Sequence, residues 1–155
     1  MRAILIMATL VACGGGSNGD DSGDIGQSWP QVSGGDDPSA VFQLAFESLT
    51  DSDEDGLWEP GESALLLVAM TNTGPDDFNY PGCELISEDL ATGTGEFPFF
   101  GLVQDEPNLC SFTVEPLADA IAGDSVAMEV IATRTGCTDD CPDENPLSLV
   151  FLLEE

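Results

Sequence analysis

The sequence predicts an all-β protein, a single antiparallel β-sandwich of about seven strands preceded by a disordered N-terminal tether. Three observations lead to this prediction. Short apolar runs separated by turn residues fill the chain beyond residue 40, no segment has a convincing helical period, and residues 14–38 are rich in Gly, Ser, Asp and Asn. The 155 residues suit one domain, because a sandwich takes about 100.

The N-terminal segment has the pattern of an export signal. Arg2 precedes an apolar run that is too short to span a bilayer, and the run ends in Leu10-Val11-Ala12-Cys13 followed by glycines. This pattern resembles the lipobox of bacterial lipoproteins. The resemblance implies a signal peptide over residues 1–12 and a lipid on Cys13 that attaches the protein to a membrane. The alternative is an ordinary apolar N-terminus with an incidental cysteine.

The Gly/Ser-rich, acidic composition of residues 13–39 predicts a flexible tether. The domain then covers residues 40–155. Gly14, and not an aspartate, follows the lipobox cysteine. In the lipoprotein family that residue favours the outer membrane or the cell surface over the inner membrane.

Seven segments of the domain combine apolar alternation or apolar runs with flanking turn residues. They are residues 41–49, 63–72, 83–87, 96–103, 109–115, 124–133 and 147–153. The last of these is apolar at every position except Ser148, which predicts a strand buried on both faces. Seven short strands separated by turns indicate a sandwich of the immunoglobulin type.

The segment between the first two predicted strands has the spacing of a calcium loop. Carboxylates occupy loop positions 1, 3, 5, 9 and 12 of residues 51–62, and Gly56 occupies position 6, where the chain must turn sharply. The predicted ligands are the carboxylates of Asp51, Asp53, Asp55, Glu59 and Glu62 together with the backbone carbonyl of Leu57.

The flanks of this loop differ from those of an EF-hand. Pro60 and Gly61 prevent a helix at the loop exit, and apolar strands lie on both sides. We therefore expect a loop between two strands. The alternative is a solvated acidic turn that holds no ion.

The opening of the domain also resembles a known family. The acidic turn with Pro60-Gly61-Glu62, the apolar run 65–70 and Asn72-Thr73-Gly74 are similar to the start of bacterial Ig-like modules of the CARDB-like, cell-adhesion-related type. Residues 117–125 resemble the turn before a late strand of those modules. The resemblance implies a structural or adhesive module, and we expect a monomer that binds a protein or glycan at the cell surface.

The five cysteines fit an oxidising compartment. Lipidation of Cys13 leaves four, for which three pairings exist. We favour Cys83–Cys110, since both fall on inward strand faces, and Cys137–Cys141, which would clamp a short acidic loop. The alternative, a zinc site, is weak because the spacing is wrong and the chain has no His.

Charge limits the classes of partner. The chain has 30 Asp plus Glu, 2 Lys plus Arg and a net charge of −28. Binding to nucleic acid or to anionic head groups is therefore not expected, because both need cationic side chains. The alternative origin of this charge is whole-proteome acidity in a salt-adapted organism.

The composition also argues against an enzyme. With no His and no Lys, the chain lacks the usual nucleophile and base systems, and no carboxylate pair stands out among so many acids. We expect a lipid-anchored, exported Ig-like module with a structural, adhesive or binding role at the cell envelope, stabilised by one calcium ion. The alternative function is a calcium-responsive regulatory or buffering protein of the envelope.

Overall fold

The computed structural model describes residues 30–74, 81–93, 95–98, 105–134 and 145–155. The predicted signal peptide, Cys13 and the predicted Cys137–Cys141 bridge lie outside the described residues. Within them, nine β-strands and no helix form the fold. The strands are β1 (Gln31–Gly34), β2 (Phe42–Asp51), β3 (Ala64–Asn72), β4 (Pro81–Ile86), β5 (Leu90–Thr92), β6 (Gly95–Pro98), β7 (Pro107–Pro116), β8 (Ser125–Arg134) and β9 (Leu147–Leu152).

The strands form two antiparallel sheets. One has the order β1-β9-β8-β4-β6 and the other β2-β3-β7-β5. The second order matches strands A, B, E and D of an immunoglobulin sandwich, and β9-β8-β4 matches G, F and C. The predicted all-β, immunoglobulin-like sandwich is confirmed. All seven predicted strands are present, each within two residues of its predicted bounds where it is described.

Two strands were not predicted. The Gly/Ser-rich composition predicts a linker at Gln31–Gly34, but in the structure these residues pair with β9 as the edge strand β1. All four are exposed, so they lack the alternation that marks a strand in sequence. The other, β5, has only three residues and pairs with the end of β7, while β6 returns to pair with β4.

The core lies between the two sheets. Its largest fully buried side chains include Phe42, Leu66, Met70 and Leu149. In β9 the buried residues alternate with half-buried ones, so this strand is fully buried on one face only. The prediction of burial on both faces is wrong because a two-layer sandwich leaves the outer face of each sheet towards solvent.

A disulfide joins the two sheets. Cys83 on β4 is bonded to Cys110 on β7, with their Cα atoms 6.2 Å apart, and both residues are fully buried. The predicted pairing is confirmed. The antibody-type bridge joins strands B and F, whereas this one joins the strands at positions C and E.

Among the described residues, no helix is long and apolar enough to cross a membrane.

Candidate metal-binding loop

The loop of residues 51–62 begins and ends at residues that are paired in the sheet. Asp51, the last residue of β2, pairs with Ala64, the first residue of β3. The residues between them form a loop that connects two neighbouring antiparallel strands, as predicted. The chain termini of the described domain lie at this end too, since Gln31 pairs with Val150 and the Glu154 N–H donates to the Trp58 carbonyl at 3.0 Å.

Three of the predicted ligands converge. Carboxylate oxygens of Asp51, Asp53 and Asp55 all lie within 4.8 Å of one another. Asp51 is only 7% exposed at the end of its strand, whereas the other two are exposed. One carboxylate is therefore fixed by the sheet and the other two project from the turn beside it.

Backbone hydrogen bonds fold the chain around these carboxylates. One Asp51 oxygen accepts from the Asp55 N–H and the other from the Gly56 N–H, each at 3.0 Å. Asp53 also accepts from the Asp55 N–H at 3.1 Å, and Asp55 accepts from the Leu57 N–H at 2.8 Å. This succession of short turns is what brings every second side chain to the same point.

The loop has left-handed backbone at three positions, Glu54, Gly56 and Gly61, and the first two lie in the turn around the aspartates. Gly56 has φ 92°, as expected from its place in the loop, and no heavy atom lies within 4 Å of the position that a Cβ would take. Glu54 has φ 64° and carries a side chain, which costs about 1–2 kcal/mol.

Glu62 lies apart from this cluster and fastens the two ends of the loop together. One of its oxygens accepts from the Ser52 N–H at 2.9 Å, the Ser52 hydroxyl at 2.8 Å and the Asp53 N–H at 3.2 Å. The other accepts from the Glu59 N–H at 3.3 Å. In this structure Glu62 holds the loop closed, and its role as a bidentate ligand remains a prediction.

The two remaining predicted ligands lie elsewhere on the loop. Glu59 lines an open surface cleft together with Asp53, Glu62 and Glu115. Leu57 is half-buried and uses its N–H on Asp55. The structure thus brings together three of the six predicted ligands and leaves the other three outside that cluster.

The surroundings of Asp51 and Glu62 favour the charged form of these two carboxylates, because each accepts several hydrogen bonds. Burial raises the pKa of Asp51, but N–H donors of the turn outweigh it, including those of Gly56 and Asp55, so its pKa is lowered. Burial also raises the pKa of Glu62, and the Ser52 hydroxyl with backbone N–H groups brings it below the usual value.

Asp53 has the opposite shift. The Asp55 N–H lowers its pKa, but burial, the negative charges of Asp55 and Glu62, and the hydrogen bond with Asp51 together raise it. The carboxylates therefore repel one another at neutral pH. A cation placed among them would relieve that repulsion.

Trp58 positions the loop, and the spacing of the carboxylates gave no indication of this role. It is 5% exposed, its indole N–H donates to the Glu62 carbonyl at 2.9 Å, and its ring meets Phe151 edge to face at 5.9 Å and 84°. Trp58 thereby anchors the loop to β9. The signal in the sequence is a single large aromatic residue within an otherwise polar, acidic turn.

A comparison with protein-family models and with curated protein sequences finds no match.

Proposed function

We propose that this protein is a lipid-anchored, exported Ig-like module with a structural, adhesive or binding role at the cell envelope, and that its 51–62 loop holds one calcium ion. The observation that supports the metal site is the meeting of Asp51, Asp53 and Asp55 oxygens within 4.8 Å. Three carboxylates at one point are a donor set for a hard cation.

The donor chemistry favours calcium among the common ions. The loop offers oxygen only, with no His or Cys, and this disfavours zinc and the softer transition metals. Calcium takes 6–8 oxygen ligands in flexible geometry. In the proposal, the Leu57 carbonyl, Glu59, Glu62 and water complete the set that the three aspartates begin.

The surroundings of the loop favour a stabilising ion over a regulatory one. The loop base is already paired at Asp51 and Ala64, and Trp58 is already packed on Phe151. A bound ion then offsets carboxylate repulsion without exposing a new surface. This is the reason for preferring the structural module over the calcium-responsive alternative.

The proposed anchor would hold the domain by its loop end. The described chain begins at Pro30, and β1 runs from there along β9 with Gln31 beside Val150. Pro30 and Trp58 line the same cleft. A lipid on Cys13 would thus connect, through the tether, to the end of the sandwich that carries the 51–62 loop.

The calcium part of the proposal is tested by thermal unfolding. At an affinity of about 0.1–1 mM, tenfold excess calcium stabilises the native state by about 1.4 kcal/mol. The wild type should therefore melt a few degrees higher in calcium than in chelator, and Asp51→Ala plus Asp53→Ala should abolish this difference. An equal calcium response in wild type and variant would contradict the site.

The anchor is tested separately with Cys13→Ser. The wild type should partition with membranes and incorporate labelled palmitate, whereas the variant should do neither. A variant that stays in the membrane fraction and is labelled as before would overturn the lipoprotein assignment. A pulldown from the native envelope with and without calcium then separates the two functions, because only the regulatory alternative predicts a calcium-dependent partner.

A further inference from the structure

The strands β1 and β2 enter different sheets and leave a groove between them. They meet just after β1, where the Gly35 carbonyl accepts from the Leu44 N–H at 2.8 Å. From this point β1 pairs with β9 in one sheet, whereas β2 pairs with β3 in the other. The groove that opens between β1 and β2 has a volume of about 410 Å³. It therefore runs along an edge strand of each sheet.

The groove exposes part of the inner face of one sheet. Val32 of β1 pairs with Leu149 of β9, so the two side chains lie on the same face of the sheet. Leu149 is fully buried, but Val32 is 46% exposed, which shows that the facing sheet does not cover β1. Phe46 of β2 also lines the groove and is half-buried. Val32 and Phe46 thus offer accessible apolar surface on opposite sides of the groove.

The backbone beside the groove can accept another strand. β1 is an edge strand, and no described strand pairs with its side away from β9. On β2 the Leu44 N–H points towards the groove, and alternate residues direct their backbone groups to the same side, so those of Phe46 face it too. Edge strands are commonly protected by charged side chains, but β1 has the sequence Gln-Val-Ser-Gly, without any charge.

Acidic residues lie at both ends of the groove. Asp36 lines it beyond Gly34, and Phe46 also lines the adjoining cleft, which contains Glu154. Both carboxylates are exposed, and no Lys or Arg is among the described residues that line either space. The net charge of −28 attracts cationic partners and opposes a second copy of this chain as the occupant.

We infer that this groove binds an extended, cationic peptide segment of a partner protein, which adds to β1 as a further strand. Main-chain hydrogen bonds hold the peptide, and its alternate apolar side chains pack on Val32 and Phe46. Basic residues at its two ends meet Asp36 and Glu154. The inference depends on neither the calcium ion nor the lipid, so its test includes neither.

The test is a peptide titration followed by NMR on the ¹⁵N-labelled chain from residue 13 onward, with Cys13→Ser. The four residues of β1 span about 13 Å, so the seven-residue probe acetyl-Lys-Thr-Val-Thr-Val-Thr-Lys-amide extends past both ends. Saturable shifts of backbone amides should concentrate at Val32, Ser33, Leu44 and Phe46, which line the groove.

Two altered peptides separate the expected contributions. A peptide with Glu in place of both Lys should bind at least about tenfold more weakly, because the acidic chain repels it. N-methylation of the three central residues removes N–H donors on both edges of the peptide but keeps its side chains and charge. It should also weaken binding at least about tenfold, through the loss of main-chain hydrogen bonds.

Matched variants of the protein locate the site. Val32→Thr keeps a β-branched residue but removes apolar surface, and should weaken peptide binding about two- to fivefold. Val150→Thr, on the outer face of β9, should leave it unchanged. Asp36→Asn should also weaken binding about two- to fivefold, the range of an exposed ion pair, whereas Asp119→Asn in the β7–β8 turn should not.

Several results would overturn the inference. They are absence of saturation, equal binding of the Lys and Glu peptides, full binding of the N-methylated peptide, and equal effects of a groove variant and its control. Amide shifts in the groove that grow with protein concentration, without any peptide, would identify a second copy of the chain as the occupant and so reject the peptide.

Discussion

Replacing both cysteines of the inter-sheet bridge should destabilise the domain by a predictable amount. Cys83 and Cys110 are 27 residues apart in sequence, and their bond restricts the unfolded chain to a closed loop of that size. The loop-closure entropy of such a loop corresponds to about 3–4 kcal/mol at 25 °C. This is a large share of a domain stability of about 5–15 kcal/mol.

The assay is equilibrium unfolding in urea, followed by circular dichroism, with Cys83→Ala plus Cys110→Ala compared with wild type. With a slope of about 1–2 kcal/mol/M for a domain of this size, the midpoint should fall by about 2 M, and the slope should rise because the unfolded chain without the bridge exposes more surface. The two sulfur atoms are bonded to each other, so thiol labelling of the unfolded but unreduced wild type should find neither Cys83 nor Cys110 reactive. An unchanged midpoint would refute the assigned role of the bridge.

Three further predictions concern the loop and the opposite end of the sandwich. Trp58→Phe keeps a ring against Phe151 but leaves the Glu62 carbonyl without its donor, and should cost about 1–2 kcal/mol in urea unfolding. Asn145→Asp replaces a buried amide that donates to two backbone carbonyls at 2.8 and 3.1 Å, and should cost at least about 2 kcal/mol. A milder effect of either would show that the hydrogen bond is dispensable. The lowered pKa of Asp51 implies a contribution to stability that is present above its ordinary value of 3.8 and lost as pH falls through the lower folded-state value. The stability difference between wild type and Asp51→Asn, measured in chelator, should shrink on acidification, and a constant difference would contradict the shift.

The sandwich was predictable because its central strands carry a clear apolar pattern. In β7 and β8, buried residues alternate with more exposed ones, and the inward position of Cys110 within β7 indicated its partner on the facing sheet. By contrast, β1 buries none of its residues, and β5 is too short for any period to show. These two segments become strands because β9 and β7 offer them backbone partners. The local sequence pattern does not show that such partners lie nearby.

The loop was predictable in part because residue spacing determines which side chains lie on the same side of the backbone. The spacing of Asp51, Asp53 and Asp55 determines which side chains an alternating turn brings together, and the structure brings them together. The hydrogen bonds of Glu62 depend on which backbone N–H groups the closed loop leaves free, and those of Trp58 depend on the position of β9. Neither is encoded by residue spacing within the loop.

The central claim, one calcium ion held by the aspartate cluster, is tested most directly by calorimetric titration of the domain with calcium. We expect a single saturable site with an affinity of about 0.1–1 mM, and Asp53→Asn should weaken calcium binding at least tenfold because Asp53 lies in the cluster. Glu115→Gln removes a nearby acidic group outside the predicted set and should leave binding unchanged. Absence of saturable heat, or calcium binding that Asp53→Asn leaves intact, would show that the aspartate cluster does not hold calcium.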